Sequence, residues 1–438
     1  MPPRAPKRAR QVNSTQNRRA TLAITMPSKK YDLIVFGATG FTGRLVAGYL
    51  HDRYGPGGKQ PGEPPITWAM AGRNLEKLRQ VRHSIGAGEE VPLIVADAAA
   101  PGALKSLVAQ TKVVITTVGP YRLYGEPLAR ACAEAGTDYV DLCGEPLWMA
   151  HMIPRLQGLA EASGARIVFS CGFDSIPFDL GVTFLQARAQ ERFHLPLQRV
   201  RGRVRVMKGG FSGGTAASLM GTLEQIARTP ALARTLADPF ALTPGFRGPD
   251  QPEGDSAQYD ESAKAWSGPF VMAAINTKNV HRTNALRGHP WGRDFLYDER
   301  MLTGSGNAGE QRARALARTT RVQNALLGFG PTRALIRRFA LPKPGQGPNQ
   351  QARENGRYEV LFSGETTSGQ HLGAVVTGDR DPGYGSTCKL IAESALCLAQ
   401  DVDRTMTAGG VWTPGAAMGL TLVRRLQARA GLAFAVES

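Results

Sequence analysis

The sequence predicts an α/β protein: a Rossmann-type doubly wound parallel sheet, then a second α+β domain containing a mainly antiparallel sheet. Three observations lead there. From residue 31 to about 180, short apolar runs alternate with helix-like stretches, the pattern of βαβ units around a sheet buried on both faces. The first run opens directly onto a glycine-rich turn between Gly37 and Gly43. After Pro177 the texture changes to longer alternating strands separated by Pro- and Gly-rich sequence.

Six runs, at 32–36, 66–71, 91–96, 112–118, 139–142 and 166–170, are the expected strands of a first domain spanning 31–180. Between them, 42–50, 75–84, 103–110, 127–134 and 147–162 space their apolar residues as helices do. The second domain is expected over 181–408. It holds a helix at 178–192, a strand at 200–207, a helical stretch at 215–227, a hairpin of 358–365 with 371–377, and an apolar helix at 387–400. Residues 229–356 read as a flexible Pro/Gly-rich insertion of surface excursions and linkers, with an Arg-rich helical stretch at 310–339 inside it. The last part, 409–438, is expected as an amphipathic helix at 416–430 that packs back on both domains.

A chain of 438 residues, 42% hydrophobic, has room for more than one core. Lys and Arg number 53 against 36 Asp and Glu, a net charge of +17. Eight of the positive charges lie in residues 1–30, where there is no acid and no apolar period, so this tail is expected to be disordered. Met26 offers an alternative start, and the same composition also suits a transit peptide or contact with an anionic surface. No apolar core segment follows the charges, which excludes a signal peptide. The remaining excess suits an acidic substrate, a phosphorylated cofactor or an anionic membrane surface, and does not single out nucleic acid.

Cys132, Cys143, Cys171, Cys388 and Cys397 are odd in number and form no CxxC pair. That argues against a disulfide scaffold or structural zinc and for a reducing compartment, here the cytoplasm. No run of eighteen uncharged apolar residues exists, so the protein is read as soluble or peripheral to a membrane. His281, His289 and His371 show no metal-ligand spacing, and no metal is expected.

Strand 32–36 runs into Gly37-Ala38-Thr39-Gly40-Phe41-Thr42-Gly43 and then a helix. Glycines are needed there because a side chain would obstruct the tight turn, the approach of backbone N–H groups to a pyrophosphate, and the packing of helix on strand. The pyrophosphate then meets the unpaired N–H groups of a helix N-terminus. The spacing is GxxGxxG, a variant of the dinucleotide fingerprint. The second strand ends in Arg73-Asn74, where an NAD-specific protein usually has an acid. Arg73 offers a planar cation to a 2′-phosphate, which favours NADP(H) over NAD, although a plain surface arginine fits the same position. Asp97, ending the third strand, either meets the adenine end or caps the next helix. At the fourth strand's end Gly119 and Pro120 form a turn facing the nicotinamide ribose, with Gly119 letting backbone approach the cofactor.

These segments resemble a known family. FGATGFTG at 36–43, AGRN at 71–74, TTVGPYRLYGEPL at 116–128, YVDLCGE at 139–145 and CGFDSIPFDLG at 171–181 look like the saccharopine dehydrogenase-like oxidoreductases. PFVMAAINT at 269–277, DPGYGSTCKL at 381–390 and GGVWTPGAAMG at 409–419 extend the likeness from about residue 31 to the C-terminus. Within the family the chain is most similar to the trans-acting enoyl reductases, which reduce double bonds on carrier-bound chains for synthases of polyketide-derived lipids. The resemblance implies NADPH as hydride donor and a small-molecule or carrier-bound acyl substrate. It does not imply saccharopine as substrate. Animal relatives associated with lipid droplets keep peripheral membrane association open.

Such a reduction needs a donor to the carbonyl as enolate charge develops and an acid for the α-carbon. Tyr121 and Tyr124, just past the cofactor-facing turn, and Asp174, past the sixth strand, are the candidate catalytic groups. Each also has a structural reading, in packing for the tyrosines and in turn formation for the aspartate. Arg282, Asn284, Tyr384 and Lys389 are weaker candidates for a substrate cleft. The rival readings are a saccharopine-type reaction at a C–N bond and a membrane-associated cofactor-binding protein without turnover.

Overall fold

A computed structural model of the chain describes residues 29–55, 65–209, 213–328 and 347–437. The basic tail, apart from its last two residues, lies outside this range, as do most of the Gly/Pro loop before the second strand and the end of the Arg-rich stretch.

The first half builds β1 (Tyr31–Phe36), β2 (Trp68–Gly72), β3 (Leu93–Val95), β4 (Thr111–Thr116), β5 (Asp138–Val140) and β6 (Arg166–Val168). They alternate with α1 (Phe41–Tyr54), α2 (Leu75–Ser84), α3 (Pro101–Ala109), α4 (Tyr121–Ala135) and α5 (Pro146–Ser163). All strands run parallel, in the order β13-β6-β5-β4-β1-β2-β3. Helices cover both faces, so Leu33, Ile34 and Val35 are all buried; this is why the strands read as continuous apolar runs rather than alternating ones. The strand order reverses between β1 and β4, and this switch point opens a crevice at the carboxyl ends of the strands, where ligands of such sheets bind.

The seventh strand, β13 (Gly410–Trp412), comes from the far end of the chain and pairs with β6. Three residues are too few for a periodic signal, and sequence reasoning missed them. The same segment corrects the expected ending. The helix at 416–430 is two pieces, Pro414–Ala417 and Gly419–Arg429, and the chain closes in a strand, β14 (Leu432–Glu437), at the edge of the second sheet.

The second sheet has the order β14-β12-β11-β7-β10-β9-β8 and is antiparallel except where β7 (Arg199–Lys208) meets β10 (Leu296–Gly304). The hairpin of β11 (Arg357–Glu365) and β12 (His371–Gly378) lies where the alternation predicted it. The reading of 229–356 as an insertion of surface excursions is corrected. That stretch supplies β8 (Gln258–Asp260), β9 (Ala265–Pro269), β10 and the buried helix α9 (Ala273–Leu286). Of the Arg-rich stretch, α10 (Gly306–Gly328) is described. Proline and glycine here punctuate short core elements.

Helix α6 (Ile176–Phe193) joins the halves, leaving the end of β6 and packing on β11, β12 and β14. A Cβ at Gly181 would stand 2.3 Å from the Phe362 ring, so glycine sets how closely this helix lies on the second sheet. The C-terminal segment is tied to the first half by hydrogen bonds to two buried ion pairs, one in each. Arg425 Nε lies 2.5 Å from Glu393, which also accepts from the Tyr49 and Tyr54 hydroxyls, each at 2.6 Å. Arg166 pairs with Asp138 and donates to the carbonyls of Val402 and Leu398, both at 2.6 Å.

The Arg166 side chain is 4% exposed and that of Asp138 2%. Removing one partner of such a pair strands the other charge in the interior. Arg166→Ala is therefore expected to lower the unfolding free energy by about 3–5 kcal/mol in chemical denaturation. Arg130→Ala, which breaks an exposed pair with Glu134, should change it by about 0.5 kcal/mol or less.

Candidate functional site

At the end of β1 the chain turns at Gly37, whose φ is +88°, and the turn is pinned to β2 by Gly37 and Ala38 N–H groups donating to Ala71 O at 3.0 and 3.2 Å. A Cβ on Gly37 would stand 2.7 Å from Val118 and 2.9 Å from Thr117; one on Gly43 would stand 2.2 Å from the Gly37 carbonyl oxygen. A Cβ on Gly40 would be 3.3 Å from the same oxygen. Helix α1 is thus pressed against the turn it leaves. Gly40 caps it without a side chain, and its first turn contains no acid, so N–H groups and the positive end of the helix dipole face outward. Ala38 is buried beneath, while Thr39, Phe41 and Thr42 are half-buried around the turn. The turn thus leaves an uncapped helix N-terminus with no side chain in front of it, an arrangement open to an anion.

Arg73 is exposed at the carboxyl end of β2, at the edge where the turn lies. Asn74 next to it serves the fold, since its carbonyl oxygen accepts from Lys77 N at 2.9 Å and caps α2. Asp97 is exposed after β3 and accepts from Ala99 N at 2.9 Å, shaping the approach to α3. At Gly119, after β4, an added Cβ would meet nothing closer than 3.8 Å. Packing therefore demands glycine at 37 and 43 but not at 119, where the open space faces the crevice. Pro120 follows as the N-cap of α4.

The expectation that Tyr121 donates to a substrate is corrected. Its side chain is buried, its hydroxyl donates to Thr116 O at 3.2 Å and accepts from Leu142 N at 2.9 Å, and burial pushes the phenol well above its ordinary pKa. Tyr121 ties α4 to the ends of β4 and β5. Tyr124, one turn along, is 46% exposed. Asp174 is half-buried, with one carboxylate oxygen 3.7 Å from where a Gly144 Cβ would stand, so the ends of β5 and β6 converge on it.

Several buried groups at this edge escaped sequence reasoning. Glu145 accepts from the Tyr121 and Arg122 N–H groups at 2.8 and 3.0 Å, capping α4, and from Ser218 Oγ at 2.9 Å on α7 (Gly213–Arg228) of the second half. Asp141 accepts from Cys143 N, Ser170 N and the Tyr139 hydroxyl, and burial pushes it up to about 7. Ser175, at the start of α6, accepts from Asn279 at 2.8 Å and donates to Asn276 at 3.3 Å. Asn276 in turn donates to Glu299 at 2.9 Å, and burial pushes that carboxyl up to about 8. YVDLCGE and AAINT held these residues, but nothing in one sequence says that their polar atoms face inward.

Arg282, proposed for a substrate cleft, instead spans from Leu242 O to Val411 O, and Asn284 bonds the 291–292 turn. A cavity of 630 Å³ lies beyond the start of α6, walled by Gln186, Leu286, Trp291, Trp412 and Met418. Among the described residues no helix is long and apolar enough to cross a membrane.

The comparisons with known proteins agree with this geometry. Residues 33–168 match the saccharopine dehydrogenase NADP binding domain. A trans-acting enoyl reductase of Mycobacterium ulcerans is 37% identical over 91% of this chain and 96% of its own, and one of Mycobacterium tuberculosis is 37% identical with the same coverage. Another Mycobacterium tuberculosis protein is 40% identical over 92% of this chain and 97% of its own. Among solved structures, saccharopine dehydrogenase from Saccharomyces cerevisiae aligns over 93% of this chain and 100% of its own with a TM-score of 0.52 at 11% identity, a likeness of fold. The glycine cradle, with no acid beside it and Arg73 at the end of β2, fits a phosphorylated dinucleotide. The chain belongs to the saccharopine dehydrogenase-like family, among relatives named trans-acting enoyl reductases, and is an NADP(H)-dependent oxidoreductase.

Proposed function

We propose that this protein is itself a trans-acting enoyl reductase, reducing a carbon–carbon double bond in an acyl or polyketide-type lipid intermediate carried by a partner synthase. The observation behind this reading is that identity to proteins of that name extends over nine-tenths of the chain, through the second sheet and α9 as well as the cofactor domain.

In this reading NADPH supplies the hydride, and the protein binds, orients and protonates. The 37–43 turn holds the pyrophosphate and Arg73 the 2′-phosphate, as a planar cation suits a phosphate monoester. Gly119 and Pro120 border the nicotinamide ribose. Tyr124 and Asp174 flank the crevice as groups able to donate to, or position, the reacting acyl group.

Two sets of variants test the reading. Arg73→Ala is expected to weaken NADPH binding about 10- to 100-fold, the worth of a charge-assisted contact, and to leave NADH binding unchanged in a fluorescence titration. Equal loss for both nucleotides would remove Arg73 from the 2′-phosphate. Asp174→Asn and Tyr124→Phe are each expected to lower kcat on an enoyl thioester by about 10²-fold or more while NADPH affinity holds. Tyr121→Phe should instead lower the melting temperature and leave kcat within a few-fold. A wild-type protein that binds NADPH and reduces no enoyl thioester would refute the proposed reaction.

A further inference from the structure

Helix α9 is polar along most of its length and buried on nearly every side, and most of its polar groups are matched. Asn276 and Asn279 meet Ser175, Arg282 donates to Leu242 O at 2.5 Å and Val411 O at 2.7 Å, and Thr283 donates to Asp179 at 2.6 Å. Lys278 is the exception. It is 3% exposed and, among the described residues, makes no hydrogen bond or ion pair; the exposed Asp238 acts on it only through space. One turn along the same face, His281 is also 3% exposed, lies 4.7 Å from the Phe240 ring, and has no partner for Nε2. Thr243 Oγ1, in the loop that covers this face, and Asn279 Oδ1 are buried and unpartnered too.

Lysines are rarely buried unless paired, and buried polar atoms without partners are few in native structures. Several within two turns of one helix and its covering loop describe hydrogen-bonding capacity held for something else. The location fits. Asn279, the next residue, is bonded to Ser175, which caps α6 and directly follows Asp174 in the chain.

We propose that the Lys278–His281 face of α9, beneath the 238–243 loop, is the acyl site of this enzyme: Lys278 Nζ donates to the carbonyl or carboxylate oxygen of an acyl ligand, with His281 Nε2 and Thr243 Oγ1 completing the contacts. Its part in turnover rests on the enoyl reductase reading; its part in binding does not. As hydride adds to the β-carbon of an enoyl thioester, the π-electron pair moves toward the α-carbon and the carbonyl oxygen. Lys278 stabilises that oxygen, and a proton passed from solvent through the donor at Tyr124 or Asp174 ends on the α-carbon, so that enoyl thioester, NADPH and a proton become acyl thioester and NADP⁺.

Burial holds Lys278 down at about 8, with Asp238 opposing, and holds His281, which also feels Lys278, down at about 3. The other buried charged groups on elements packed here are Arg282 on α9, Asp179 on α6, and Asp298, Glu299 and Arg300 on β10. Lys278 is thus cationic at neutral pH and loses its charge as pH rises through about 8, so acyl binding should weaken above that pH. The charge also opposes folding. The native state holds this proton less tightly than the unfolded chain, so replacing Lys278 with an apolar residue should not lower the melting temperature.

The test is calorimetric titration of the full chain, saturated with NADP⁺, with trans-2-octenoate, beside NADPH oxidation with trans-2-octenoyl-pantetheine. In Lys278→Met the octenoate Kd is expected to rise about 10- to 100-fold, as for loss of a hydrogen bond to a charged group, and its weakening above pH 8 to vanish. NADPH binding and melting temperature should hold. Lys278→Gln, which keeps a donor, gives the same comparison if the methionine variant does not fold. Unchanged octenoate binding in the variants, or none in the wild type, overturns the site, as does an unchanged kcat/KM on the thioester. Octenoate binding that depends on Lys278 in a protein that never oxidises NADPH would leave the site standing and refute the enoyl reductase reading.

Discussion

The two halves of the molecule are held in register by the carboxylate of Asp179. It lies buried in the first turn of α6, accepting from Thr283 Oγ1 on α9 and from the Gly415 N–H of the C-terminal segment, both at 2.6 Å. Burial pushes this carboxyl up to about 6, against the pull of its two donors, so ionisation here has an energetic cost that only these contacts offset. A Cβ on Gly415 would stand 2.6 Å from it, which leaves no alternative seat for the C-terminal chain. Because α6 starts at the crevice of one sheet and packs on the other, this junction sets where α9 stands relative to the cofactor turn. The strands on either side of the junction, β13 and β14, then lock one chain segment into both sheets.

What was legible in the sequence follows from how each part is solvated. Strands β1, β2 and β4 sit between helical layers, so their burial on both faces left apolar runs in plain view, and steric demand left glycine at 37 and 43. Helix α9 was obscured for the opposite reason. Its asparagines, lysine, histidine and arginine are buried against one another's partners, and apolar periodicity cannot register a helix whose inward face is polar. Tyr121 looked like a donor by its place after the cofactor turn; only three dimensions reveal that both roles of its hydroxyl are filled by backbone. β13 pairs with a strand hundreds of residues away and β14 with one beyond the whole of the Thr387–Leu396 helix and β13, tertiary choices no local pattern records.

Net charge was a poorer guide than it looked. Part of the positive excess is internal: Arg199 and Arg203 both pair with Asp298, Arg203 also pairs with Asp260, and Arg300 lies 3.6 Å from Asp298, all little exposed. These pairs knit β7 to β10, the one parallel junction of the second sheet, and to the β8 edge. Arginines held this way do not advertise an anionic ligand, because their charge is already matched by buried carboxylates. A composition-level argument for an acidic partner therefore has to discount every cation already neutralised inside the fold.

The crevice is consequently a joint product of both halves. Helix α7, which follows β7, reaches back to the first domain through Ser218 to Glu145 and through an Arg122–Glu224 pair at 3.8 Å. A Cβ at Gly221 would stand 2.4 Å from Arg122 Nε, so a glycine lets the helix settle there. Since Glu145 also caps α4, the helix that starts at the carboxyl end of β4, any shift of α7 is felt at the N-terminus of α4. The end of β4 and the position of the second half are thereby linked through one buried carboxylate, and a change in either half would reach that edge of the first sheet without touching the glycine turn.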